Sequence, residues 1–270
     1  IIHNASERGL ARRDSQSVYN QISIDEKSFQ EGHHYVTVLS SPDDGIVLDI
    51  AEHRTKEATK NLLTNLLSDE QRDHVKTVSL DMWKAYNSAV DEVFPKAKKV
   101  HDRFHLIKYL NEAIDKVRRR EIKRNEILVN SRYAMLKNTC NLTQKQYFKF
   151  EDVLRANTEV SLVWRLKECF KNLFGCEDYH EAFRRYSDWK DFVKWEAIPE
   201  LTKVADMFSN HITGVCNALV ESASNAMAER LNGKIQIIKT IGRGYRTFQN
   251  FRSAILFFLG GLDLYPHKTQ

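Results

Sequence analysis

Four cysteines in 270 residues, Cys140, Cys169, Cys176 and Cys216, form no C-x-x-C pair and no regular framework. That excludes a disulfide scaffold and a zinc motif, and it fits free thiols in a reduced intracellular setting. No stretch approaches the roughly 18 consecutive apolar residues of a membrane helix, so nothing in the sequence is expected to span a bilayer. A secretory leader is missing too, because residues 1–21 are polar and charged. There is no initiator Met, which suggests a fragment or processed product. Residues 1–19 read as a lead-in without an element of their own, and the first strand is expected near Asn20.

What is present suffices for a large core. Hydrophobic residues make up 42% of the chain, enough for one large domain or a domain carrying an insertion. The formal net charge is +5, and the basic residues cluster: Lys96, Lys98 and Lys99; Arg118, Arg119 and Arg120 with Lys123 and Arg124; Lys234, Lys239, Arg243 and Arg246. Such clusters neutralise phosphates and release counterions, which points to nucleic acid. A solvated helix face explains any one of them equally well.

Two strand-like segments end in nearly the same way, Gln21-Ile22-Ser23-Ile24-Asp25 and Val78-Ser79-Leu80-Asp81. Side chains alternate along a strand, so Ile22 and Ile24 share one face while Ser23 and Asp25 share the other, and Val78 and Leu80 set the same phase for Ser79 and Asp81. Side by side and parallel, such strands deliver two carboxylates to one place, an arrangement suited to hard divalent cations such as Mg²⁺. Two unrelated surface turns would read the same way.

Between these segments lie two further strand signals, Tyr35–Leu39 and Ile46–Ile50, joined by the turn sequence Ser41-Pro42-Asp43-Asp44-Gly45. Thr55 can cap a helix striped by Leu62, Leu63, Leu66 and Leu67. After Asp81 a helix is predicted over 83–94, with Trp83, Tyr86, Val90 and Phe94 on its apolar face and Pro95 as its stop. A fifth strand over 97–101 leads into Asp102-Arg103-Phe104-His105. A three-strand meander, helix, strand, helix and strand is the order of the ribonuclease-H-like fold, an α/β class with a mixed sheet whose first and fourth strands are neighbours. Residues 106–215 are helical in pattern, with aromatics such as Trp164, Phe170, Phe174, Tyr186, Trp189, Phe192 and Trp195 expected mainly in the core. The expected organisation is therefore lead-in 1–19, ribonuclease-H-like core 20–105, α-helical insertion 106–215 and a return to the core over 216–270. Within the return, 222–239 reads as a helix with an apolar stripe of Leu231, Ile235 and Ile238. Its polar face, counted from Glu221, carries Asn225, Glu229, Asn232, Gln236 and Lys239. That stripe suits a helix facing solvent, or one laid beside a metal and phosphate site.

The segments Ile24-Asp25-Glu26-Lys27-Ser28-Phe29, Ser79-Leu80-Asp81-Met82-Trp83-Lys84-Ala85-Tyr86, Asp102-Arg103-Phe104-His105 and Ser224-Asn225-Ala226-Met227-Ala228-Glu229-Arg230-Leu231-Asn232 resemble, in order, the catalytic region of the ISL-three family of bacterial insertion-sequence transposases. The run from Ile237 through Gly242-Arg243-Gly244-Tyr245-Arg246 to Phe251 resembles it as well. This resemblance implies a DDE transposase whose ribonuclease-H-like domain is interrupted by a helical insertion before the last acid. Asp25 then matches the first Asp, Asp81 the second and Glu229 the Glu, with Glu221 as a competitor by periodicity alone. Larger related groups place a His after the fifth strand, here His105, where it would approach the scissile phosphate or orient a carboxylate, with Arg103 on phosphate. Asp102 is a candidate for the same site and for a helix cap, and Phe104 is expected in the core.

By the same resemblance, Asp25, Asp81 and Glu229 hold two Mg²⁺ or Mn²⁺ ions for DNA nicking and strand transfer. Arg103, Arg118, Arg119, Arg120, Lys239, Arg243 and Arg246 contact DNA. The implied partners are transposon ends and target DNA, with a homodimer or higher assembly forming on them. The implied location is the bacterial cytoplasm at the nucleoid. Family members carry N-terminal zinc-binding and helix-turn-helix segments that this sequence lacks, so an excised catalytic domain, a truncated reading frame or a relic is expected. The alternatives are a stand-alone nuclease of the same fold and a catalytically silent DNA-binding or assembly module.

Overall fold

A computed structural model describes residues 1–14, 16–30, 34–221 and 226–265. The chain divides into two compact units, one formed by residues 1–100 with 224–270 and the other by residues 101–223.

The first unit opens with helix α1 (Ile2–Ala11) and continues with strands β1 (Gln21–Gln30), β2 (His34–Ser41) and β3 (Ile46–Glu52). These form an antiparallel meander, with Ile24 opposite Leu39 and Val38 opposite Ile50. The turn between β2 and β3 relies on Gly45, whose positive φ of 66° a side-chain-bearing residue adopts only at a cost. Helix α2 (Lys56–Leu66) begins where the Thr55 hydroxyl accepts from the Ala58 N–H. The short helix α3 (Asp69–His74) follows behind a capping box made by Ser68 and Gln71. Strand β4 (Thr77–Leu80), helix α4 (Lys84–Val93) and strand β5 (Lys98–His101) complete a five-stranded mixed sheet in the order β3-β2-β1-β4-β5. β1 and β4 run parallel and pair from Gln21–Thr77 to Ile24–Leu80.

The described residues of the second unit beyond β5 form helices joined by loops: α5 (Arg103–Glu121), α6 (Arg132–Leu136), α7 (Gln144–Arg155), α8 (Glu159–Lys171), α9 (Tyr179–Glu196), α10 (Pro199–Asn210) and α11 (Ile212–Val220), with two short 3-10 turns. Leu106, Leu110, Ile114 and Val117 repeat at helical spacing along α5 and are fully buried. In the same unit Phe170 packs between Trp189 and Phe208, with ring centroids 4.9 and 5.2 Å away. The Tyr186 hydroxyl donates to the Ala205 carbonyl at 2.7 Å, and burial pushes its pKa up to about 12. Cys176 and Cys216 are buried, Cys140 and Cys169 exposed, and all four are free thiols.

The chain then returns to the first unit with α12 (Ala226–Ile241) and α13 (Phe248–Leu259). The sheet carries apolar packing on both faces. Ile22, Ile24, Leu39, Val78 and Leu80 pack with Leu63, Tyr86 and Val90 of α2 and α4. Phe29, Val36, Val38, Val47 and Ile50 pack with Leu231, Ile235 and Ile238 of α12 and Phe251 and Ile255 of α13. Among the described residues no helix is long and apolar enough to cross a membrane.

Several expectations need correction. Residues 2–11 form a helix, not an unstructured lead-in: the Ser6 hydroxyl donates to the Ser253 carbonyl at 2.9 Å, and Arg13 reaches the Leu48 and Gly260 carbonyls. Trp83 is not on the buried stripe of α4. It is the extended residue preceding the helix and is 43% exposed, so its side chain leaves the helical phase, and its indole donates to the Arg54 carbonyl. Phe104 is 56% exposed, because it lies two residues from Leu106 and thus on the opposite side of α5 from the buried stripe. Phe192 and Trp195 are likewise exposed, unlike Phe170, Tyr186 and Trp189.

Candidate active site

The parallel pairing of β1 with β4 fixes the centre of the site. Ile24 and Leu80 are register partners with buried side chains, so Asp25 and Asp81 follow at the next position on the opposite face. Directly before them on that face, Ser23 and Ser79 pair, both buried and both small. Asp81 directly follows β4, but Asp25 lies midway along β1 and not at its end, because pairing with β2 carries the strand on to Gln30; each carboxylate accepts from the next backbone N–H. Asp25 Oδ1 accepts from the Glu26 N–H at 2.7 Å and Asp81 Oδ1 from the Met82 N–H at 2.6 Å. The Asp81 carbonyl also accepts from Asn87 Nδ2 at 3.3 Å.

Helix α12 supplies the third side. Its Leu231, Ile235 and Ile238 stripe is buried against the meander, which turns Asn232 toward β1, where its amide donates to Asp25 Oδ2. Lys27 Nζ lies 3.8 Å from the same oxygen, and the Asp25 side chain is only 15% exposed. Both oxygens of Asp25 are thus engaged by donors, which holds a carboxylate in place beside another. One turn before Asn232 stands Glu229, exposed in the first turn of α12. Positions three apart share a helix face. Lys239, further along α12, donates to the Ser28 carbonyl at 2.7 Å and so clamps the helix to β1.

On the other face of β1, Glu26 binds Arg54 at 2.7 Å, and the Arg54 guanidinium lies 4.3 Å from the Tyr35 ring centre and 4.6 Å from that of Trp83. Burial raises the pKa of Tyr86, and Glu26 and Asp25 raise it further, so its phenol stays neutral against Thr37.

The remaining candidates occupy the helical unit. Asp102 caps α5 by accepting from the Phe104 N–H at 2.8 Å, and its Oδ2 lies 3.6 Å from His105 Nδ1. Arg103 donates to the Ala218 and Glu221 carbonyls and stacks 4.6 Å over Phe174. Arg118 is buried, with Nε and Nη2 on Asp115 Oδ1 at 2.9 and 2.7 Å; Arg119 takes Asp115 Oδ2, and Arg120 pairs with Glu159 and Glu200. Burial acts to raise the Asp115 pKa, but its arginine partners outweigh that and hold it below the ordinary carboxylate value. Arg243 and Arg246 are exposed in the loop after α12.

Glu221 is not on the helix of Glu229. It ends α11 with extended backbone, so the helical spacing that made it a competitor does not run through it. Residues 222–225, the start of the expected helix with Ser224 and Asn225 of the family segment, lie outside the described residues. Asn232 and Lys27 are the neighbours of Asp25; the sequence pattern had Asn232 on the polar stripe suited to a metal and phosphate site and Lys27 in the first family segment, without assigning either to Asp25. Among the described residues no three carboxylate, imidazole or thiol groups are gathered closely enough to hold a metal ion. The donors offered by Asp25, Asp81 and Glu229 are nevertheless all hard oxygens on one side of the sheet, the chemistry Mg²⁺ and Mn²⁺ select.

The sequence profile of a family described as transposase, of the DDE class and ISL3 type, matches residues 22–255. The chain is 27% identical over 252 residues to the transposase for insertion sequence element IS1001 of Bordetella parapertussis, covering 90% of this chain and 62% of that protein. It is 26% identical over 280 residues to the transposase for insertion sequence element IS1557 of Mycobacterium tuberculosis, covering 93% and 62%. The chain therefore spans 62% of the length of the curated relatives it matches.

Proposed function

Because this chain belongs to the ISL3-type DDE transposase family, we propose that it is the catalytic region of a transposase, cleaving DNA at the ends of an insertion sequence and joining the freed 3′-hydroxyl to target DNA. The observation that carries the reading is the register of β1 and β4, which brings Asp25 and Asp81 to adjacent strand positions on one face, with α12 carrying Asn232 against Asp25 and Glu229 one turn away. The sheet order β3-β2-β1-β4-β5 supports a ribonuclease-H-like core.

Asp25, Asp81 and Glu229 would hold two Mg²⁺ or Mn²⁺ ions, which when bound lower the pKa of the attacking water or 3′-hydroxyl and offset charge on the phosphate. The protein's own part is positional. The Glu26 N–H, Asn232 and Lys27 fix Asp25 and temper its repulsion with Asp81. His105, with Asp102 3.6 Å away, would serve at the scissile phosphate. Arg243, Arg246 and Lys239 would contact DNA phosphates, as would Arg119 and Arg120, whereas Arg118, buried on Asp115, and Arg103, held by the Ala218 and Glu221 carbonyls, would position their surroundings rather than touch DNA. The partners would be transposon ends and target DNA, bound by a homodimer or larger assembly in the bacterial cytoplasm.

The test is cleavage and joining of a pre-cut DNA end in Mn²⁺ or Mg²⁺. Asp25→Asn and Asp81→Asn should fall to background while DNA affinity stays within about twofold of wild type, and Glu229→Gln should follow them. A fully active Asp25→Asn chain sinks the assignment. Cutting without any joined product would instead identify a nuclease.

A further inference from the structure

One face of α5 forms the wall of an open groove within the helical unit. Phe104, Ile107, Lys108, Asp115, Lys116 and Arg119 recur at threes and fours along that face, and α6 supplies Arg132 and Leu136 opposite. The groove has a volume of about 490 Å³. From Phe104 to Arg119 the helix rises about 22 Å, room for several nucleotides.

Its chemistry is divided. Ile107 and Leu136 give an apolar floor and Phe104 presents an exposed ring, while Lys108, Lys116, Arg119 and Arg132 supply cations that are all exposed. The acids do not cancel them: Asp115 is shared by buried Arg118, by Arg119 and, at 3.8 Å, by Arg132, and with Glu112 it makes two acids against the four cations of the lining. The Asn111 amide oxygen on the same wall lacks a hydrogen-bond partner among the described residues. A duplex presents phosphates outward and needs no apolar floor. An unpaired strand presents base faces as well, and cations beside an aromatic platform are what it requires.

We infer that this α5–α6 groove binds unpaired DNA, with Phe104 stacking on a base and Lys108, Lys116 and Arg132 holding the flanking phosphates. The inference rests on DNA being the substrate, and it adds a second DNA surface that the reaction at Asp25 and Asp81 does not require. None of the four side chains contributes to the buried core, so their removal leaves folding intact.

Fluorescence anisotropy of the full chain on three labelled probes provides the test: a blunt duplex, the same duplex with an unpaired overhang, and the single strand. Phe104→Ala should weaken the overhang and the single strand by about tenfold and the blunt duplex by less than about twofold, with Phe104→Tyr restoring binding. The triple change Lys108→Ala, Lys116→Ala, Arg132→Ala should reduce the slope of log affinity against log salt on single strand by about 2, near 0.7 per phosphate contact. Equal losses on blunt duplex and single strand, or an unchanged slope, overturn the groove. These readouts need no cleavage: an inert chain that keeps its overhang preference sinks the proposed chemistry alone, and an active chain indifferent to Phe104 sinks the groove alone.

Discussion

Asp25 is held by the Glu26 N–H on one oxygen and by Asn232 on the other, with Lys27 nearby. Removing the amide should therefore cost more than a surface hydrogen bond. Asn232→Ala is expected to lower unfolding free energy by about 2 kcal/mol, the range for a bond to a charged group. Asn232→Asp should cost more, since a third carboxylate joins Asp25 and Asp81, and millimolar Mg²⁺ should recover part of that loss. Urea unfolding with and without Mg²⁺ reads both, and an Asn232→Asp chain as stable as wild type without metal contradicts the arrangement. The two aspartates were legible in the sequence because strand parity is strict: once Ile24 and Leu80 are inside, Asp25 and Asp81 share the other face. Asn232 was visible as one member of a polar stripe and as the end of a family segment, with no partner assigned. Its selection depends on how α12 is rotated over the meander, which local pattern does not encode. Trp83 and Phe104 were misplaced for a related reason, since each sits at a helix entrance where the chain has not joined, or has not yet turned to, the buried stripe.

Among the elements, α1 shows how packing can escape hydropathy. Its buried residues are Ala5, Ser6 and Gly9, small side chains that let it lie close to α13 and the segment after it, with Ser6 bonded to the Ser253 carbonyl. A residue-by-residue reading finds no large apolar stripe there and sees only a polar lead-in. A Cβ on Gly9 would stand 2.7 Å from Leu262 Cβ. Gly9→Ala should therefore destabilise by about 1–3 kcal/mol through overpacking, although alanine in an ordinary helix interior gains about 1 kcal/mol over glycine. Thermal melts decide the sign, and a higher melting temperature would mean that the contact yields. The meander, the α2 cap at Thr55 and the stop at Pro95 were all readable, because turn and cap chemistry is local. The capping box that starts α3 was equally local, but six residues carry too little periodicity to announce a helix.

At the scale of the whole molecule, the first unit is discontinuous, its strands lying in residues 1–100 and its last two helices after residue 223. Phe29, Val36, Val38, Val47 and Ile50 depend on α12 and α13 for cover. A chain stopped after Glu221 should expose that face, bind a hydrophobic dye and aggregate at micromolar concentration. A soluble, dye-silent truncate would show that the face is covered some other way. The helical unit's existence followed from pattern, whereas which of its aromatics are buried depends on helix rotation, as exposed Trp195 and buried Trp189 on one helix illustrate.

The discontinuity also sets a clock. Asp25 and Asp81 leave the ribosome first, and Asn232 and Glu229 follow Asp25 by roughly 200 residues, some 10–40 s of synthesis. Until then the nascent chain has two carboxylates and neither the amide that steadies the first nor the third acid. A polypeptide arrested anywhere before α12 would thus lack two of the groups on which the proposed chemistry depends, so that the order of synthesis itself would withhold it.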